Sequence, residues 1–117
     1  MSNETKEKIV KEVSEAIYQA YPYLWEKFGE HGRVKTEEDN YHHLDHLETT
    51  YELRDITVFL DYTKWLENVL TSRNVGTYLI IDNFERLVKA IPGKVDKERE
   101  QAFLMYLQQA IQLLKNS

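Results

Sequence analysis

Asp39, His42, His43 and His46 crowd into residues 37–48, a stretch that holds three of the four histidines in the chain. His42 and His46 stand four residues apart, as do Asp39 and His43. On a helix such residues project side by side about one turn apart, which lets one helix offer two ligands to a metal ion. The neighbouring residues narrow that reading. A zinc-hydrolase helix carries a glutamate directly after its first histidine, and His43 takes that place here. A di-iron bundle needs Glu-x-x-His on two helices, whereas Asp39-x-x-His42 occurs once and the stretches after residue 46 contain no histidine. His31 is the remaining candidate for a third ligand. The favoured expectation is structural: Asp39 and His43 hydrogen-bond within their own helix, while His42 and His46 lie at its solvent edge. No cofactor or metal is assigned. The alternative is a metal- or tetrapyrrole-binding helix that uses His42, His43 and His46.

A second cluster lies at Asp61, Tyr62 and Trp65. Asp61 falls within an otherwise amphipathic stretch, where an unpaired carboxylate would be costly if buried. Asp61 is therefore expected to face His43, and a carboxylate partner would raise the histidine pKa and make the pair pH-responsive. Asp39, His42, His43, His46, Asp61, Tyr62 and Trp65 together form the candidate functional cluster, read as a conformational hinge or ligand-sensing pocket. Catalysis finds little footing. There is no cysteine, serine is confined to Ser2, Ser14, Ser72 and Ser117, and neither a nucleophile elbow nor a phosphate-cradling glycine loop occurs. The expectation is a non-enzymatic protein.

The elements that must position these residues are helices. Ile9, Val10, Val13, Ile17, Leu24 and Phe28 step by three and four behind Ser2 as a cap, with a kink or restart expected at Pro22. Residues 29–35 are expected to form a loop, with Gly29 and Gly32 free to adopt left-handed backbone. Thr36-x-x-Asp39 resembles a capping box opening a second helix that runs to about Leu53. Asp55 can cap a third helix ending near Ser72. A fourth carries Tyr78 to Ile91 and stops at Pro92-Gly93, and a fifth starts near Asp96. The apolar run Tyr78-Leu79-Ile80-Ile81 is expected to be central in the core or in a subunit contact. The fold class is all-α: one domain, residues 1–117, arranged as an antiparallel up-and-down bundle of four to five helices.

Composition excludes several classes of function. A hydrophobic fraction of 42% with 12% aromatics rules out disorder. The net charge of −5 and the mixing of Lys94, Lys97 and Arg99 with Asp96, Glu98 and Glu100 leave no basic stripe, so no nucleic-acid partner is expected. No apolar run approaches the roughly 20 residues of a membrane span. The charged start, with no apolar signal core behind it, points to the cytoplasm. Tyr18, Tyr21, Tyr23, Trp25 and Phe28 crowd around Pro22, and those left exposed would suit a homodimer or another protein partner. A small-molecule ligand is left unidentified.

Asp39-x-x-x-His43-Leu44, Phe59-x-Asp61-Tyr62-x-x-Trp65-Leu66 and Leu70-x-x-Arg73 also resemble a bacterial helical domain found ahead of cobalamin-binding domains in multidomain sensory proteins. The resemblance spans about residues 39–87. The cobalamin signature itself, a histidine among glycines in a strand-to-helix loop, does not occur in this sequence. The resemblance therefore implies a stand-alone sensory or adaptor-like module and no bound cobalamin.

Overall fold

Side-chain caps open the first and last helices. Ser2 Oγ accepts a hydrogen bond from the Thr5 backbone N–H at 3.1 Å, and an Asp96 carboxylate oxygen accepts from Arg99 N–H at 3.1 Å. The computed structural model describes residues 1–116. These form α1 (Asn3–Ala20), α2 (Tyr23–Leu53), α3 (Thr57–Ser72), α4 (Thr77–Ala90) and α5 (Lys97–Lys115). The protein is all-α. No helix among the described residues is long and apolar enough to cross a membrane.

The joints follow local chemistry. Pro22 lacks a backbone donor and its fixed φ suits a helix start, so the chain leaves α1 at Tyr21 and restarts at Tyr23. Arg54 takes a left-handed turn (φ 55°, ψ 40°), after which Asp55 Oδ1 accepts from the Thr57 N–H at 3.0 Å and so caps α3. Asp96 opens α5 as expected.

The expected loop over residues 29–35 is a correction, because α2 is continuous there apart from one break. Gly29 has φ 62° and ψ −157°, a region essentially confined to glycine, and the helix resumes at once. Arg33 holds the resumed turns together by bonding Glu30 one turn before it and Glu37 one turn after it. Thr36 does not cap a helix. Its hydroxyl donates back to the Gly32 carbonyl at 2.9 Å, the habit of a threonine inside a helix. Gly32 is helical rather than left-handed, and its missing side chain has a packing reason. A Cβ there would collide first with Phe28 Cβ, across the Gly29 break, and then with Tyr18 Oη of α1 at 2.7 Å, so glycine is what lets both the first segment of α2 and α1 approach.

The apolar stripes then close the interior. α1 packs on α2 and α4, α5 on α4, α3 and α2, and α2 and α4 also pack on α3. Phe59, Phe84 and Phe103 are fully buried, one each from α3, α4 and α5. The Phe59 and Phe84 rings lie 5.6 Å apart. The extents of 40 × 32 × 17 Å make a flat body about two helices thick. Of the apolar run that opens α4, only Ile80 is buried within the chain, and Tyr78 is 54% exposed. Successive helical residues turn by about 100°, so four in a row cannot share one face.

A polar clip crosses this core. Asn40 of α2 and Asn83 of α4 are both buried and exchange hydrogen bonds through their side-chain amides. Asn83 Nδ2 donates to Asn40 Oδ1 at 2.7 Å, and Asn40 Nδ2 donates to Asn83 Oδ1 at 3.1 Å and to the Thr36 carbonyl at 2.9 Å. Truncating either residue to alanine strands the other amide. Asn40→Ala or Asn83→Ala should each cost about 1–3 kcal/mol in urea unfolding. The double substitution Asn40→Leu/Asn83→Leu should cost less than the sum of the two single leucine changes. Additive costs in that cycle would show that the two amides are not coupled.

Candidate functional site

α2 buries Leu24, Leu44, Leu47 and Tyr51 in the core, and beside them it carries a strip of polar residues. His31, Lys35, Asp39 and His43 follow one another at four-residue spacing, and all four line a cavity of about 230 Å³ between α1, α2, α3 and α4. Burial deepens along this ladder: His31 and Lys35 are exposed, Asp39 is half-buried and His43 is buried. The walls are apolar, formed by Ile17, Leu24, Leu66, Leu70, Leu79 and Ile80. Arg73, which closes α3, adds a second cation, and Asn83 of the amide clip adds an edge of the floor.

The charges around this cavity are incompletely matched. The Asp39 carboxyl makes no hydrogen bond and no ion pair within 4 Å among the described residues, and neither does the Arg73 guanidinium. Burial pushes the Asp39 carboxyl above its ordinary value, against the opposing pull of Lys35, His42 and Arg73. Lys35 reaches the exposed Glu38, outside the cavity, at 3.7 Å. A loose surface pair of that kind contributes little and is easily exchanged.

The buried end of the ladder is an aromatic stack. His43 Nδ1 and Tyr62 Oη lie 2.6 Å apart. Burial, reinforced by the nearby His42 and His46, pushes the His43 pKa down to about 3, so the ring is neutral. Among the described residues Tyr62 has no other hydrogen-bond acceptor, so its O–H donates to Nδ1 and the imidazole proton sits on Nε2. Burial likewise raises the Tyr62 phenol. The His46 ring stacks on Tyr62 at 3.7 Å between centroids, and its Nδ1–H donates to the His42 carbonyl at 2.8 Å. Trp65 also packs near Tyr62, its ring centroid 6.1 Å away, and is itself 58% exposed.

The expected pairing of Asp61 with His43 is a correction. Asp61 is exposed, and the residue facing His43 from α3 is its neighbour Tyr62. One residue along a helix is a 100° rotation, which sends Asp61 to solvent when Tyr62 points inward. The expected internal bond between Asp39 and His43 is not made either, since both are turned to the cavity. His42 is exposed, as expected of it, but His46 is half-buried in the stack. The histidines do not converge. Among the described residues no three His, Asp or Glu side chains are grouped so as to hold a metal ion.

Sequence reasoning weighed His31 only as a third metal ligand and Arg73 only within the resemblance, and it missed Lys35 and Asn83 altogether. The ladder 31-35-39-43 was available as a spacing, but reading residues 29–35 as a loop hid its first two rungs. No protein-family model, characterised protein or solved structure matches this chain.

The neutral state of His43 fixes a pH dependence. Between pH 6.5 and about 3 the unfolded chain takes up a proton that folded His43 refuses. Stability should therefore be full above pH 6.5 and fall on acidification, by up to about 1.4 kcal/mol per pH unit from this group. Asp39, with its raised pKa, acts in the opposite sense, so the contribution is isolated by comparison with His43→Asn, which keeps an acceptor for Tyr62. Urea midpoints measured from pH 7 to 4.5 should fall less steeply in the variant. Equal slopes would mean that His43 is charged in the folded protein.

Proposed function

We propose that the protein is a cytoplasmic, non-enzymatic regulatory module that takes up a small molecule between its helices and reports occupancy through a helix face. The observation that carries this reading is the polar ladder of α2 turned into an apolar-walled cavity. The ladder runs from the exposed His31 and Lys35 at the mouth to the buried His43, and pockets of this mixed character are the usual sites of small-molecule recognition. The volume lies below that of most drug-sized sites, which suits a small ligand.

The output face lies beside the input. Leu24 and Phe28 line the cavity from the short segment of α2 ahead of the Gly29 break. Trp25 on the same segment is 43% exposed and meets Tyr18, another cavity residue, edge-on at 4.9 Å. Tyr23 and Tyr78 are also exposed and touch through their hydroxyls. Filling the cavity presses on this segment, and Gly29 allows it to move relative to the rest of α2. A protein partner or a second copy of the chain would read the resulting aromatic surface.

The test uses a neutral apolar probe. Toluene added to the Trp65→Phe variant, which leaves Trp25 as the single tryptophan, should shift the emission of Trp25 and the methyl resonances of Leu66, Leu70 and Leu79. Leu70→Phe in the same background, which narrows the cavity without adding a tryptophan, should weaken both effects, read at Trp25 and at the Leu66 and Leu79 methyls. A spectrum indifferent to toluene, or an undiminished response in Leu70→Phe, would remove the cavity from the functional reading.

A further inference from the structure

We propose that the cavity takes a medium-length monocarboxylate, its head group held by Lys35 and Arg73 and its apolar body packed against Leu66, Leu70 and Leu79. The inference rests on the reading of the cavity as a ligand site and adds the chemical class of the ligand. Its first support is charge. The cavity lining carries two cations, Lys35 and Arg73, and one carboxylate, Asp39, while Glu38 pairs loosely with Lys35 from outside the lining. An anionic head group that displaces Glu38 meets both cations at the mouth, whereas an ammonium head group is repelled by the same two charges.

The second support is availability. The Arg73 guanidinium makes neither hydrogen bond nor ion pair within 4 Å among the described residues, and an arginine in that state offers its planar fork to a carboxylate. Lys35 is tied only to the exposed Glu38, at 3.7 Å. Both cations are exposed while the leucines lie at half-buried or buried positions, so the site is charged at its mouth and apolar within. Asp39, one turn below Lys35, stands between the two regions.

Size sets the body of the ligand. A dry apolar cavity of about 150 Å³ accepts benzene, so 230 Å³ accommodates about nine carbon atoms by the same proportion. Straight chains of eight carbons are therefore suitable probes, and they can be compared with the head group alone varied.

The experiment is isothermal titration of the full chain with octanoate, octanamide and octylamine, with toluene as the cavity control. Octanoate should bind about tenfold or more tightly than octanamide, and that preference should shrink as salt is added. Arg73→Gln should reduce the preference to about threefold or less while leaving octanamide binding unchanged. Lys35→Gln, a second substitution at an exposed position, should act in the same direction. Leu70→Trp should abolish binding of all the probes. Equal affinity for octanoate and octanamide, tightest binding of octylamine, or octanoate binding that survives Leu70→Trp would each overturn the monocarboxylate while toluene binding left the cavity reading intact. Failure of toluene together with every eight-carbon probe would remove both.

Discussion

The reciprocal amide pair between Asn40 and Asn83 is the contact on which the rest of this architecture turns. Each amide presents a donor and an acceptor, so the two satisfy one another only in a single relative placement of α2 and α4. Apolar packing would tolerate a sliding or rotation of these helices, because dispersion is not directional. The amides do not. With α2 locked in rotation about its axis, the ladder of His31, Lys35, Asp39 and His43 is bound to run along the cavity from its exposed mouth to its buried end, and the bundle must accommodate it.

Two devices make that accommodation. At the buried end, His43 finds Tyr62, and the surrounding rings of Phe84 and His46 exclude water from the pair. The cost of burying an imidazole is limited by keeping it neutral and hydrogen-bonded. Toward the surface no such partner exists, and the helices stand apart to leave a cavity instead. Protein interiors ordinarily fill such space, since unfilled volume forgoes dispersion contacts. Here the small residues and breaks favour the opening: Gly32 brings α1 in at one side of α2, and Gly29 turns the first segment of α2 across the top.

This arrangement ties stability to the proposed ligand site. The polar ladder and the amide clip occupy positions where leucine would pack better, and the clip serves to orient what leucine would merely bury. The Arg73 guanidinium, which makes no hydrogen bond or ion pair within 4 Å among the described residues, lies at the mouth of the cavity, where a bound anion would contribute most. The aromatic surface around Tyr23, Trp25 and Tyr78 is continuous with the segment ahead of Gly29, so occupancy and surface shape share one movable element.

The sequence alone determined what depends on neighbours in the chain. Caps at Ser2, Asp55 and Asp96, the stop at Pro92-Gly93 and the three-four periodicity of apolar residues identified five helices, and α3, α4 and α5 lie close to where those signals put them. The restart at Pro22 was equally local. Gly29 and Gly32 misled for a physical reason: two glycines three apart signal a loop, but one serves a single backbone break and the other a close approach of α1, which no local pattern reveals. What only the tertiary structure decided is which side of each helix faces which neighbour. That rotation separates Tyr62 from Asp61 as the partner of His43, sets Asn40 opposite Asn83 across 43 residues of chain, and gathers Lys35, Asp39 and Arg73 around one cavity. Spacing along a chain fixes relative angle within a helix, whereas the angle between helices is settled by packing and by the few directional bonds that cross it.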